Sequence, residues 1–142
     1  MQISRKADYA VRATTILASL APDKTMQAQE LAEAGKIPIK FLEQILLVLK
    51  RAGILRSKRG VGGGYRLNRE SRHVTLGEII EAVDGELVRF VDQGDFPSFE
   101  GSVGILHFLG SAEEEINKVL GQITLEDVAS HDAGDSMVGY GI

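Results

Sequence analysis

Between Gly60 and Gly64 four of five residues are glycine, Arg59 stands directly before them, and Tyr65-Arg66-Leu67 follows. So much backbone freedom serves either a loop that cradles phosphate with its N–H groups or the tip of a β-hairpin. A P-loop requires Lys-Ser or Lys-Thr after its last glycine and then a helix, whereas Tyr65 and Arg66 here open an alternating, strand-like run. The dinucleotide pattern G-x-G-x-x-G, begun at Gly60, would place its third glycine on Tyr65. A hairpin tip fits better, with Arg56, Lys58 and Arg59 on or beside it and Gly62 and Gly63 within it. Arginine at such a mobile tip suits the narrow minor groove of DNA, where the negative potential is enhanced. The competing reading is a flexible surface hairpin whose charges are simply solvated.

Other chemistry is scarce. With no cysteine in the sequence, disulfides, thiolate zinc sites, thiol nucleophiles and all-cysteine iron–sulfur ligation are excluded. His73, His107 and His131 lie too far apart for the short spacing of a metal-ligand motif. No nucleophile or paired-carboxylate arrangement is legible, so no enzyme is expected. The longest aliphatic run, Ile45 to Leu49, cannot span a bilayer, and the charged start MQISRKADYA does not read as a signal peptide. A cytoplasmic protein without membrane contact is expected.

The net charge of −4 conceals a strong asymmetry. Through Thr75 the chain carries 14 Lys and Arg against 6 Asp and Glu, about +8; beyond it the count is 2 against 14, about −12. A basic first part indicates a polyanionic partner, although uneven sorting of solubility charges would look the same.

These residues need elements to position them. Ser4 can cap a first helix with Ala10, Ala13, Leu17 and Leu20 at helical spacing, ended by Pro22. A second helix spans about 27–34 with Leu31 and Ala34 inward, and Gly35 sits where a left-handed cap belongs. Pro38 suits the first turn of a third helix, whose buried stripe reads Phe41, Leu42, Ile45, Leu49 and Ala52. Two helices joined by a three-residue, glycine-containing turn outline a helix-turn-helix. Residues 54–58 and 65–68 then alternate as two strands around the glycines, which makes the order that of a winged helix. A capping box, Thr75-Leu76-Gly77-Glu78, opens a helix that Gly85 closes.

The predicted fold is therefore mainly α with a small antiparallel β-hairpin: a winged helix-turn-helix domain over 1–85, a loop over 86–104, a dimerisation helix with its following segment over 105–130, and a tail without fixed structure over 131–142. In the late helix, predicted to begin near Val103, Leu109, Ala112, Ile116, Val119 and Ile123 step by three and four, as a seam for a partner helix would and as an amphipathic helix packed on its own domain would too. On the third helix Ile39, Lys40, Glu43 and Gln44 occupy exposed early turns, with Lys50 and Arg51 later. Glu43 can accept from a cytosine amino group and Gln44 can pair bidentately with adenine. Arg5 and Lys6 are candidate phosphate contacts.

The segments MQISRKADYAVRA, IPIKFLEQILLVLKRAGIL, RSKRGVGGGYRL, VTLGEIIEAVDG and INKVLGQITLEDV resemble the IscR/NsrR/CymR family of bacterial transcription regulators over nearly the whole chain. The resemblance implies a homodimer whose long helices cross between subunits and whose two winged helices read a roughly palindromic double-stranded DNA site, with Glu43, Gln44 and Arg59 carrying recognition. Cluster-binding members of that family carry three cysteines before the long helix, and the corresponding stretch here, DQGDFPSFEGSVGILH, has none. Some members add a histidine or an acid of the first helix as a ligand, and His107 and Asp8 lie near those places. Two such groups cannot secure a cluster without thiolates, so no cofactor is expected. Regulation would instead act through a small molecule or protein at the 92–104 loop. Two alternatives stand beside this reading: an adaptor of the same fold that has lost DNA binding, and a regulator sensing a metal through His107 and nearby acids.

Overall fold

The structure, a computed structural model, describes residues 3–138. Its elements run α1 (Arg5–Ala18), α2 (Ala28–Gly35), α3 (Ile39–Arg51), β1 (Leu55–Lys58), β2 (Gly64–Leu67), a 3₁₀ turn (Ser71–His73), α4 (Leu76–Asp84), α5 (Ser102–Leu120) and α6 (Leu125–Val138). The predicted mainly helical winged-helix architecture is present.

Helix α1 is central because its inner face is small. Ala7, Ala10 and Ala13 are fully buried and allow α2, α3 and α4 to approach closely. Buried Thr14 satisfies its hydroxyl on the Ala10 carbonyl at 2.8 Å. Ser4 caps the helix as predicted, accepting from the Ala7 N–H at 2.9 Å, and its hydroxyl also donates to Asp84 at the end of α4 at 2.7 Å.

In the helix-turn-helix three local expectations change. The left-handed residue is Lys36, at φ 54°, rather than Gly35. Gly35 instead leaves room for its neighbours: a Cβ there would stand 2.9 Å from Ile37 Cδ1 and 3.2 Å from Ile16 Cδ1, so those side chains would have to shift. Pro38 precedes the first turn of α3 and caps it, its carbonyl accepting from the Leu42 N–H at 3.0 Å. The buried stripe of α3 is Leu42, Ile45, Leu46 and Leu49. Phe41 is 56% exposed, and Ala34 and Ala52 also face outward, whereas Ile39, expected on the exposed side, is half-buried against the core. One residue turns the helix by about 100°, so Phe41 and Leu42 cannot share one narrow face.

Strands β1 and β2 pair antiparallel, with Leu55 opposite Leu67 and Lys58 opposite Gly64. Thr75 caps α4 by accepting from the Glu78 N–H at 3.1 Å, but only that half of the capping box forms, because the Glu78 carboxylate pairs with Arg69. Gly85, at φ 78°, ends α4 as predicted.

The carboxy-terminal part departs most from expectation. After α5 the chain returns beside the start of α4, where Leu76 N–H donates to the Ile123 carbonyl and Leu125 N–H to the Val74 carbonyl. Leu125 is completely buried in the winged-helix core, and α6 lies along α1 and the 3₁₀ turn. Ile123, expected on the dimerisation seam, thus belongs to the connector. Residues 131–138, expected as a tail, continue helix α6, while residues 139–142 lie outside the described residues.

Candidate nucleic-acid interface

The outward ridge of α3 is built from Lys40, Gln44, Leu47 and Arg51, which recur at steps of four, three and four and are all exposed. Glu43 and Lys50 lie exposed on one flank of this ridge. Phe41 lies on the other, its ring 6.3 Å from that of Tyr9 on α1. The turn leading into α3 is held from behind by Arg12, which donates to the carbonyls of Gly35 and Lys36 at 3.3 and 3.5 Å. Asp8 holds that guanidinium at 2.7 Å and Tyr9 lies beneath it. The orientation of α3 therefore depends on side chains of α1.

The wing is braced where a mobile tip was expected. Met26 forms a bridge with Tyr65, with N–H to carbonyl distances of 3.0 and 2.8 Å, which adds a short third line of pairing to the hairpin. The Thr25 hydroxyl donates to the Gly62 carbonyl at 2.9 Å. At the tip, the Gly63 N–H closes a turn onto the Gly60 carbonyl at 2.9 Å, and Val61 is fully exposed at the apex. Two glycines here are sterically required. A Cβ on Gly63 would fall 2.3 Å from the Lys58 carbonyl oxygen, and one on Gly64 would fall 2.5 Å from that of Met26. Removing the Thr25 tether by Thr25→Val is expected to change melting by no more than about 0.5–1 kcal/mol, because water can replace an exposed hydrogen bond. It should nevertheless weaken DNA binding roughly threefold by loosening the tip. Unchanged affinity in a fluorescence-anisotropy titration would show that the tip needs no tether.

The arginines divide into two sets. Arg12, Arg66, Arg69, Arg72 and Arg89 each form an ion pair within the chain. Among the described residues, Arg5, Lys6, Lys40, Lys50, Arg51, Arg56, Lys58 and Arg59 form none, and all of them are exposed. The structure brings Arg56 and Lys58 together around one cleft with Arg66, whose partner Asp23 lies 2.9 Å away. Arg66 was not among the predicted residues; the register that sets it opposite Arg56 is what places it there. Arg5 and Lys6 stand apart from both groups in sequence, on the first turn of α1.

Helix α5 presents a different surface. Of its 19 residues only Ser102 is buried. Residues 88–91 are strapped to it through side chains: Asn117 exchanges two hydrogen bonds with the Val88 backbone at 3.0 and 3.1 Å, and Glu113 accepts from the Phe90 N–H at 2.5 Å. Leu109, Ala112 and Ile116 are consequently half-buried, and Ile116 lines a groove with Leu87, Val88 and Leu120. The row left open is Ile105, Phe108 and Val119, at 40, 73 and 51% exposure. In the 92–104 loop, the Phe96 and Phe99 rings pack 6.0 Å apart.

The sequence model of the Rrf2 family, described as an iron-dependent transcriptional regulator, matches residues 3–131. This chain belongs to the Rrf2 family. It is 35% identical over 131 residues to an HTH-type transcriptional regulator of Mycobacterium tuberculosis, covering 91% of this chain and 81% of that one. It is 30% identical over 131 residues to the HTH-type transcriptional regulator IscR of Vibrio vulnificus, covering 92% and 78%. Among solved structures it is similar to CymR, the global cysteine regulator of B. subtilis, with a TM-score of 0.76 and 27% identity over 92% of this chain and 98% of that one. The likeness to T. potens IscR has a TM-score of 0.73 at 28% identity, over 93% and 88%. Rrf2 proteins are transcriptional regulators rather than enzymes.

The iron dependence in the family's description meets an unsuitable donor set here. Clusters are held by thiolate sulfur, and this Rrf2 chain has no cysteine. Asp8 is engaged by Arg12, and His107 is exposed with its ring edge-on to Phe108 at 5.1 Å. Among the described residues no three His, Asp or Glu side chains converge on one point. None of the helices in this region is long and apolar enough to cross a membrane.

Proposed function

We propose that this Rrf2 protein is a homodimeric, sequence-specific DNA-binding regulator that works without an iron–sulfur cluster. One observation carries the reading: among the described residues, the arginines without an ion pair are Arg5 on the first turn of α1, Arg51 on the α3 ridge, and Arg56 and Arg59 of the wing, while the other arginines are paired within the chain. In the proposed complex α3 enters the major groove, where Gln44 reads adenine, Glu43 accepts from cytosine and Lys40 meets phosphate or guanine. Arg59 follows the minor groove from the wing, with Arg56 and Lys58 on the flanking backbone. The open apolar row of α5 pairs with its copy in a second chain, and the two-fold symmetry of the pair calls for a roughly palindromic operator. Such a protein acts in the bacterial cytoplasm. The 92–104 loop is the segment through which an effector, small molecule or protein, would act.

Salt titration on genomic fragments tests the reading. Affinity should fall steeply with ionic strength, since each neutralised phosphate releases counterions. Arg59→Ala should reduce the slope of log K against log salt by about 1. Gln44→Ala should cost about 1–3 kcal/mol at the preferred site and relax its sequence preference. No shift of any genomic fragment at low salt would refute DNA binding.

A further inference from the structure

Leu47 is 47% exposed and sits on the outward ridge of α3, between Gln44 and Arg51. The core of α3 does not need it, since Leu42, Ile45, Leu46 and Leu49 already fill the opposite face. A surface for another protein would call for a wider apolar patch, yet the ridge neighbours of Leu47 are Lys40, Gln44 and Arg51. Gln44 lies three residues earlier on the same ridge, so both side chains face the same groove when α3 is inserted as proposed. In that complex Leu47 would face the base edges beside the one read by Gln44. Only one base presents a methyl group on the major-groove edge, and that base is thymine.

We propose that Leu47 is a specificity-determining residue that packs against the C5 methyl of a thymine in each half-site. The inference rests on the DNA-binding reading above and adds a base preference to it. Burying one methyl group against a leucine corresponds to about fourfold in affinity.

The test uses the full-length protein and a duplex that it selects from a random-sequence pool. Each thymine is replaced in turn by deoxyuridine, which removes only the C5 methyl. Replacement at one position per half-site should weaken the parent about fourfold. Leu47→Ala, which removes the contact from both half-sites, should bind the thymine duplex about fifteenfold more weakly and be indifferent to deoxyuridine at that position. Leu47→Met, which keeps an apolar side chain of similar reach, should retain sensitivity to it. A parent indifferent to every deoxyuridine, or a Leu47→Ala protein as sensitive as the parent, would overturn the assignment while leaving DNA binding intact. Failure to select any duplex would instead overturn the DNA-binding reading itself.

Discussion

Gly64→Ala is expected to lower the melting temperature by roughly 10 °C, from a destabilisation of about 3 kcal/mol. Two costs combine at this residue. Its φ of +143° is one that side-chain-bearing residues rarely adopt, and the added Cβ would fall 2.5 Å from the Met26 carbonyl oxygen and 2.6 Å from its carbon. Neither neighbour is a flexible side chain, so relief requires the wing to leave Met26 and give up the Met26–Tyr65 bridge. Gly62→Ala supplies the control. Its φ is +75° but nothing lies within 4 Å of the added Cβ, so only backbone strain of about 1 kcal/mol remains. Equal melting of the two variants would mean that the wing is not clamped against the α1–α2 connection. With the clamp lost, Arg59 is no longer held relative to α3, and Gly64→Ala should also lose DNA affinity at temperatures where it stays folded.

The second large effect concerns α5. Replacing both Ile105 and Phe108 by glutamate is expected to halve the solution mass measured by sedimentation and to weaken operator binding by about 10²–10³. Two linked winged helices bind a palindrome with the second contact already at high local concentration, and separation removes that gain. Both residues are exposed in the single chain, at 40 and 73%, so the fold should survive the charges and the melting of the monomer should change little. Burying four glutamates at a symmetric seam would be strongly unfavourable. A variant that remains dimeric would place the interface elsewhere.

The two results bear on different parts of the sequence, and those parts were not equally readable. Local signals did well where a short-range rule governs. Ser4 and Thr75 cap helices because a hydroxyl three residues before a free N–H satisfies it. The alternation on either side of the glycines marked the hairpin, and Gly85 marked a helix end. The same signals erred where neighbours compete for one position. Gly35 looked like a left-handed cap, yet Ile16 and Ile37 claim the space over it and Lys36 takes the positive φ. Phe41 looked like core from its apolarity, but Leu42 and Leu46 occupy that face.

Residue types and spacing by themselves determined that the chain is a winged helix with a basic reading half, that the glycines form a wing rather than a nucleotide cradle, and that no cysteine is present to hold a cluster. Only the tertiary structure decided which cations are left unpaired, because ion pairs such as Asp23 with Arg66 join residues far apart in the chain. It also showed that Ile105 and Phe108 are exposed beside Val119, while Leu109, Ala112 and Ile116 of the expected seam are half-buried in the single chain, where residues 88–91 fold back onto one side of that helix. A helix displays an apolar stripe whatever covers it. Periodicity therefore finds the stripe, and only packing tells how much of it the chain covers itself.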